Sequence, residues 1–317
     1  MLLRGLAVAS VIVALLTSCN RKADEQLTSV AGEGSATGKG RATASASSAP
    51  EDGPQPIVEL PGVDTSRLVP TEQRLFSKIV QSKLSPCGEP ISLERCVREK
   101  RACRACLPAA KYVAKMVTLG VDAVAIGAWL DGRFTTTPAL VPGAGSPAIG
   151  AAKPAVTIVE FMDFECPHCG VMAPILRAVV AEPEFAATTS LVVKHFPLKS
   201  HPHARDAAIA AIAADAQGKF FPMYDAIFAH QTALEARDLE GYARTVGCDV
   251  AIWKRALVAP ATIDRLDRDQ TLGASLGFVG VPTVYVDGRE LRPLGDVDPM
   301  DEQLRAWIRL DLDLMKK

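Results

Sequence analysis

Apolar positions recur at helical spacing through the first half of the chain and turn into short β-branched runs in the second. From Thr71 to Leu84, the residues Leu75, Phe76, Ile79, Val80 and Leu84 share one helical face. Pro70 and Thr71 suit the start of that helix and Ser85-Pro86 its stop. Ser92 to Lys100 sets Leu93, Cys96 and Val97 on one face. Pro108 opens a third helix with Tyr112, Val113, Met116 and Val117 inward, ending near Gly120, and a short fourth runs from about Asp122 to Leu130. The second half reads differently. Ala155 to Phe161 is a Val-Thr-Ile-Val strand of the buried kind, and Val171 to Val180 is a helix. A long helical run from about His203 to Ser275 sets Ala207, Ala208, Ala211, Ile212 and Ala214 for close packing. Thr283 to Asp287 is a strand, Asp287-Gly288 a hairpin turn, Glu290 to Arg292 the return strand, and Asp298 to Leu314 the final helix. The pattern predicts an α/β domain, a central mixed sheet with helices on its faces, preceded by a small all-helical segment.

The ends of the chain change this picture. Met1 to Cys19 has Arg4 and then an apolar run from Leu6 to Leu16, shorter than the roughly 20 residues needed to span a bilayer, and reads as an export signal. It closes on Leu16-Thr17-Ser18-Cys19, which resembles the bacterial lipobox. Cys19 is then the lipidated residue, the alternative being ordinary signal cleavage beside an incidental cysteine. Residues 20–56 are Gly, Ser, Ala, Thr and Pro with almost no bulky apolar side chain, the composition of a disordered tether. The predicted organisation is therefore signal peptide 1–19, tether 20–56, helical four-cysteine segment 57–134, linker 135–154 and α/β domain 155–317. Lys+Arg total 35 against 36 Asp+Glu among 317 residues, a balance that argues against a nucleic-acid partner.

The cysteines carry the chemistry. Export places the chain in an oxidising compartment, where disulfides persist. Cys87, Cys96, Cys103 and Cys106 read as two structural disulfides stapling a segment too small to be stable on core burial alone. Two other readings stay open: a redox-active Cys103-Arg-Ala-Cys106 pair beside Arg101 and Arg104, and a four-cysteine zinc site, which lacks the second close pair. Were residues 92–106 one helix, Cys96 and Cys103 would stand about 10 Å apart along its axis, beyond the roughly 7 Å that a disulfide spans. Either the helix breaks near Arg101 or Cys96 pairs with Cys87.

Asp163-Phe-Glu-Cys166-Pro167-His168-Cys169 follows the Ala155–Phe161 strand and precedes a helix. Strand, Cys-x-x-Cys, helix is the expected context of a redox dithiol. It sets Cys166 at a helix N-terminus, where free N–H groups and the positive dipole end favour a thiolate, the nucleophile of disulfide exchange. His168 adds a donor or a positive charge between the sulfurs.

Residues 159–169, His195-Phe-Pro-Leu198, His201-Pro-His-Ala204, Gln217 to Asp225 and Gly277 to Thr283 together resemble the DsbA-like branch of the thioredoxin-fold superfamily, over about residues 150–314. The resemblance implies a thioredoxin-like fold with an inserted helical domain. It makes Cys166 the attacking, exposed cysteine, Cys169 the buried resolving one, and Pro282 a cis-proline that presents the Val281 backbone to an extended substrate. It makes Glu160 a buried acid that takes a proton from Cys169 through water, against the plainer reading of a strand-edge carboxylate. It implies a thiol–disulfide oxidoreductase that oxidises cysteine pairs of exported proteins, with reduced exported proteins as substrates and a membrane partner to reoxidise it. The chain would be lipid-anchored on the periplasmic side of the envelope. Isomerase, reductase and a chaperone-like binding lipoprotein are the alternatives. The reading calls for no cofactor and no metal: His195, His201 and His203 lack convergent carboxylates or thiols. Cys248, the odd cysteine, reads as a buried free thiol.

Overall fold

The structure, a computed structural model, describes residues 56–135, 137–292 and 299–316. The signal segment with Cys19, and the tether up to residue 55, lie outside the described residues. No described helix is long and apolar enough to cross a membrane.

The helical segment consists of α1 (Pro70–Ser82), α2 (Leu93–Arg98), α3 (Cys106–Thr118) and α4 (Ala123–Leu130), which runs on into a π-helical turn, Asp131–Thr135. Most of the predicted apolar positions are buried: Phe76, Ile79 and Val80 from α1, Leu93 and Val97 from α2, Val113, Met116 and Val117 from α3. Leu75 and Tyr112 are half-buried, and Leu84, expected inward, lies past the end of α1 and is exposed. Ser92 caps α2 by accepting from Arg95 N, and Asp122 caps α4 by accepting from Val124 N and Ala125 N. The helix expected over 92–100 ends at Arg98, and Lys100 turns the chain with φ +48°. That break brings the four cysteines together as Cys87–Cys103 and Cys96–Cys106. The helix does break near Arg101, one of the two alternatives from sequence, and Cys96 then pairs with Cys106, not with Cys87 or Cys103. Cys103 and Cys106 sit in separate bonds, not in a disulfide with each other. The third helix also begins earlier than expected, at Cys106 and not at Pro108.

The second part carries β1 (Ala148–Gly150), β2 (Val156–Met162), α5 (Pro167–Ala181), β3 (Thr189–His195), α6 (Ala204–Asp215), α7 (Phe220–Phe228), α8 (Ala236–Thr245), α9 (Val250–Leu257), α10 (Pro260–Leu276), β4 (Thr283–Val286), β5 (Arg289–Glu290) and α11 (Met300–Met315). The sheet order is β1-β3-β2-β4-β5. β2 and β3 are parallel and joined through α5, and every other pairing is antiparallel. Residues 135–154, read as a linker, are one only in part. Ala148–Gly150 pairs with β3, and Ala139 N donates to Gly288 O at 2.7 Å. The signal missed is β1's brevity, three residues whose extended form is imposed by the β3 edge.

Alternation along β2 sorts its side chains. Val159 and Phe161 pack with Tyr285, Phe278 and Leu272 on the α10 side. Ile158 and Met162 join the main core with Leu176 of α5 and Ile308 of α11, and Glu160 lies on their face by register. The helical segment shares that core. Trp129 meets Trp307 edge-on at 5.6 Å between centroids, and Arg133, 1% exposed, pairs with Asp311 at 2.5 Å while lying 4.5 Å over the Trp307 ring.

Candidate active site

Cys166 is the N-cap of α5, and Pro167 fills the first helical position, where a missing N–H loses nothing. Cys166, expected to be exposed, is buried at 5% exposure, because its thiol turns in to donate to Val281 O at 3.5 Å. The Val281–Pro282 bond is cis, and Val281 precedes β4. Cys169, three residues on, turns inward and is fully buried. Its Sγ accepts from Asp163 N at 3.4 Å. Both thiols are free. Pro167 and His168 face solvent, as do Val171 and Val279.

Glu160 lies in the middle of β2, wholly buried. Tyr224 of α7 donates to its Oε2 at 2.9 Å, and its Oε1 has no partner among the described residues. Burial pushes the carboxyl up to about 8, and the Tyr224 hydrogen bond only partly opposes it. Burial also pushes the Cys169 thiol far above its ordinary value, and the Glu160 charge acts the same way, while the Asp163 N–H pulls back. Tyr224 is raised by burial and by Glu160. Near neutrality, then, Glu160 holds a proton and Cys169 is a thiol. The strand-edge alternative for Glu160 is corrected: β2 is a central strand, flanked by β3 and β4.

The active-site loop is held from several sides. Asp163 accepts from Glu165 N, Leu198 N and His201 Nδ1, the last at 2.7 Å. Glu165 accepts from His203 N. Gln231, between α7 and α8, donates through one Nε2 to Phe164 O at 2.8 Å and Cys166 O at 2.9 Å. Gly170 makes room for it: a Cβ there would stand 2.3 Å from Gln231 Oε1. The three histidines do not converge. His195 is fully buried against Phe164 and Phe220, and desolvation drives it down to about 3, so it stays neutral. Cys248 is buried and free, away from this cluster in the turn before α9. Sequence reasoning missed the roles of Gln231 and Tyr224. Tyr224 stands inside a run quoted for the resemblance, but nothing in its spacing aims it at Glu160, 64 residues away.

A parallel strand–helix–strand, an antiparallel hairpin and a Cys-x-x-Cys at the first turn of α5 define a class: thiol–disulfide oxidoreductases of thioredoxin-like fold with a helical insertion, here α6–α10. The family model described as thioredoxin matches residues 144–309, more than half of the chain, and the chain belongs to that family. Among curated relatives, Na(+)/H(+) antiporter NhaA of Herminiimonas arsenicoxydans is 38% identical over 151 residues, 48% of this chain and 24% of that protein. NhaA 1 of Salinispora arenicola is 39% identical over 142 residues, 44% of this chain and 21% of its own length. The chain therefore spans about a quarter or less of these relatives. A thioredoxin-like oxidoreductase from Silicibacter pomeroyi superposes with TM-score 0.47 at 24% identity, over 59% of this chain and 98% of that one. Oxidised BdbD from Bacillus subtilis gives 0.48 at 18%, over 56% and 98%.

Proposed function

We propose that the chain oxidises cysteine pairs of exported proteins through a Cys166–Cys169 disulfide. The observation that carries this reading is the asymmetry of the pair: Cys166 caps α5 beside exposed Pro167 and His168, itself 5% exposed and 3.5 Å from the Val281 carbonyl, and Cys169 is wholly buried near a protonated carboxyl. In the oxidised form a substrate thiolate attacks Cys166 Sγ and the sulfur–sulfur bond breaks. Cys169 leaves with the electron pair and takes a proton that Glu160 supplies through water, since a bare thiolate is costly at that depth. A second substrate thiolate attacks the substrate sulfur of the mixed disulfide, and Cys166 departs into the field of the α5 N-terminus. The substrate gains a disulfide and the enzyme holds two thiols. Val281 O and the strand it opens pair with an extended substrate segment.

A membrane redox partner then reoxidises the dithiol, and Cys19 carries a lipid that holds the domain beside the envelope membrane on the periplasmic side. The 20–56 segment acts as tether. No metal or cofactor enters this chemistry. Antiport, the activity in the relatives' names, is not carried over to a chain spanning so little of their length.

The test is the reduction potential of the Cys166–Cys169 couple in glutathione buffers. A value near −120 mV, roughly that of a strong disulfide donor, supports oxidation, and one near −270 mV, roughly that of thioredoxin, overturns it in favour of a reductase.

A further inference from the structure

The two disulfides of the helical segment differ in access. Cys87, on the loop between α1 and α2, is exposed, whereas Cys103, Cys96 and Cys106 are buried. The loop is open beside it: Gly88 has φ +78°, and apart from its own chain neighbours no atom lies within 4 Å of where its Cβ would stand. Cys87 is therefore the one exposed cysteine of the segment, and its disulfide partner is the buried Cys103. The Sγ atoms of Cys96, Cys103 and Cys106 all lie within 4.8 Å of one another. Cys103 is thus already beside the second bond. Cys106 N donates to Cys103 O at 3.3 Å, so the backbone of Cys103-Arg-Ala-Cys106 is a closed turn. Arg104 ties that turn to α11 by donating to Asp313 O at 2.9 Å.

We propose that this segment is a second thiol–disulfide exchange centre, in which exposed Cys87–Cys103 takes electrons from a dithiol and Cys96–Cys106 relays them inward. One thiolate of the dithiol attacks Cys87 Sγ, the Cys87–Cys103 bond breaks, and Cys103 leaves as thiolate. Cys103 attacks Cys106 Sγ, a Cys103–Cys106 bond forms, and Cys96 leaves and takes a proton. The second thiolate of the dithiol attacks its own sulfur in the mixed disulfide, and Cys87 leaves and takes the other proton. Two electrons and two protons have passed from the dithiol, now a disulfide, to the segment. It then holds Cys103–Cys106 and the thiols of Cys87 and Cys96. The inner step is intramolecular over a few ångströms and outruns capture by external thiols for that reason. It needs neither Cys166 nor Cys169, so it stands or falls apart from the function proposed above.

The experiment uses the full chain with Cys166→Ser and Cys169→Ser, which silences the first centre. The folded protein is treated with equimolar dithiothreitol, trapped with N-ethylmaleimide at mildly acidic pH, and mapped by peptide mass spectrometry. The expected product carries maleimide on Cys87 and Cys96 and retains a Cys103–Cys106 linkage. Label on Cys87 and Cys103 with Cys96–Cys106 intact overturns the relay. Label that appears only after unfolding in urea overturns it too, since both bonds are then staples. A second variant, Cys87→Ser in the same background, leaves Cys103 free from the start. At mildly alkaline pH it is expected to yield Cys103–Cys106 and a free Cys96, and recovery of Cys96–Cys106 alone counts against the proposal.

Discussion

Replacing Glu160 by Gln is expected to stabilise the protein, and by an amount that grows with pH. The carboxyl is fully buried, its Oε1 has no partner among the described residues, and burial raises it from 4.5 to about 8. Between those values the folded state binds one proton more than the unfolded chain, so stability falls as pH rises. Nothing is lost below the unfolded value, and the loss is complete above the folded one. At about 1.4 kcal/mol per pH unit, ionisable Glu160 lowers stability by about 3 kcal/mol at pH 7 and about 5 kcal/mol above pH 8. Gln keeps an oxygen for the Tyr224 hydroxyl and cannot ionise. The assay is urea unfolding followed by tryptophan fluorescence, since Trp129, Trp253 and Trp307 are all buried. Both proteins carry Cys166→Ala and Cys169→Ala, so that no dithiol chemistry intrudes. The gap between them should widen by about 3–4 kcal/mol from about pH 5 to about pH 8. A gap constant with pH would refute the reasoning, because Glu160 would then ionise alike in both states. In the enzyme with its cysteines intact, the same substitution should slow the step in which Cys169 departs, since the protonated carboxyl beside it is gone.

Two other perturbations test the frame around the site. Gln231→Ala leaves the Phe164 carbonyl without the amide that holds it, at about 1–3 kcal/mol; faster hydrogen exchange over 163–167 and slower disulfide exchange are expected, and Gly170→Ala, by displacing Gln231, should reproduce both. Unchanged exchange in both variants would show that the loop holds itself. Asp311→Ala strands the buried Arg133 guanidinium and should cost about 3–5 kcal/mol. Hydrogen exchange should rise in α4 and α11 together, and a rise confined to α11 would show that the helical segment does not depend on this contact.

The helices and the Cys-x-x-Cys were legible because their signals are local. Phe76, Ile79 and Val80 repeat at 3.6-residue spacing and are buried on α1, and Val156–Met162 is a β-branched run buried on both faces of the sheet. The dithiol needed only a strand before it and a helix after it. What escaped is non-local. β1 takes its extended form from the edge of β3, Gln231 reaches Phe164 across 67 residues, and Arg133 meets Asp311 across 178. The disulfide pairing escaped for a related reason. The cysteine spacing offered a helix break near Arg101 as one alternative, and the chain turns at Lys100 with φ +48°, but nothing in that spacing says which sulfurs the turn brings together.

Taken alone, then, the sequence determined which elements form and where the reactive sulfurs lie along the chain, since periodicity, caps and a Cys-x-x-Cys before a helix act over a few residues. Only the tertiary structure decided their chemical inequality. Packing set Cys166 at the α5 N-terminus beside the Val281 carbonyl and sealed Cys169 and Glu160 within, so that burial holds their protons. It also left Cys87 in solvent while closing three other sulfurs into one cluster. Burial and through-space distance set these differences, and both arise only when segments far apart in the chain are brought together.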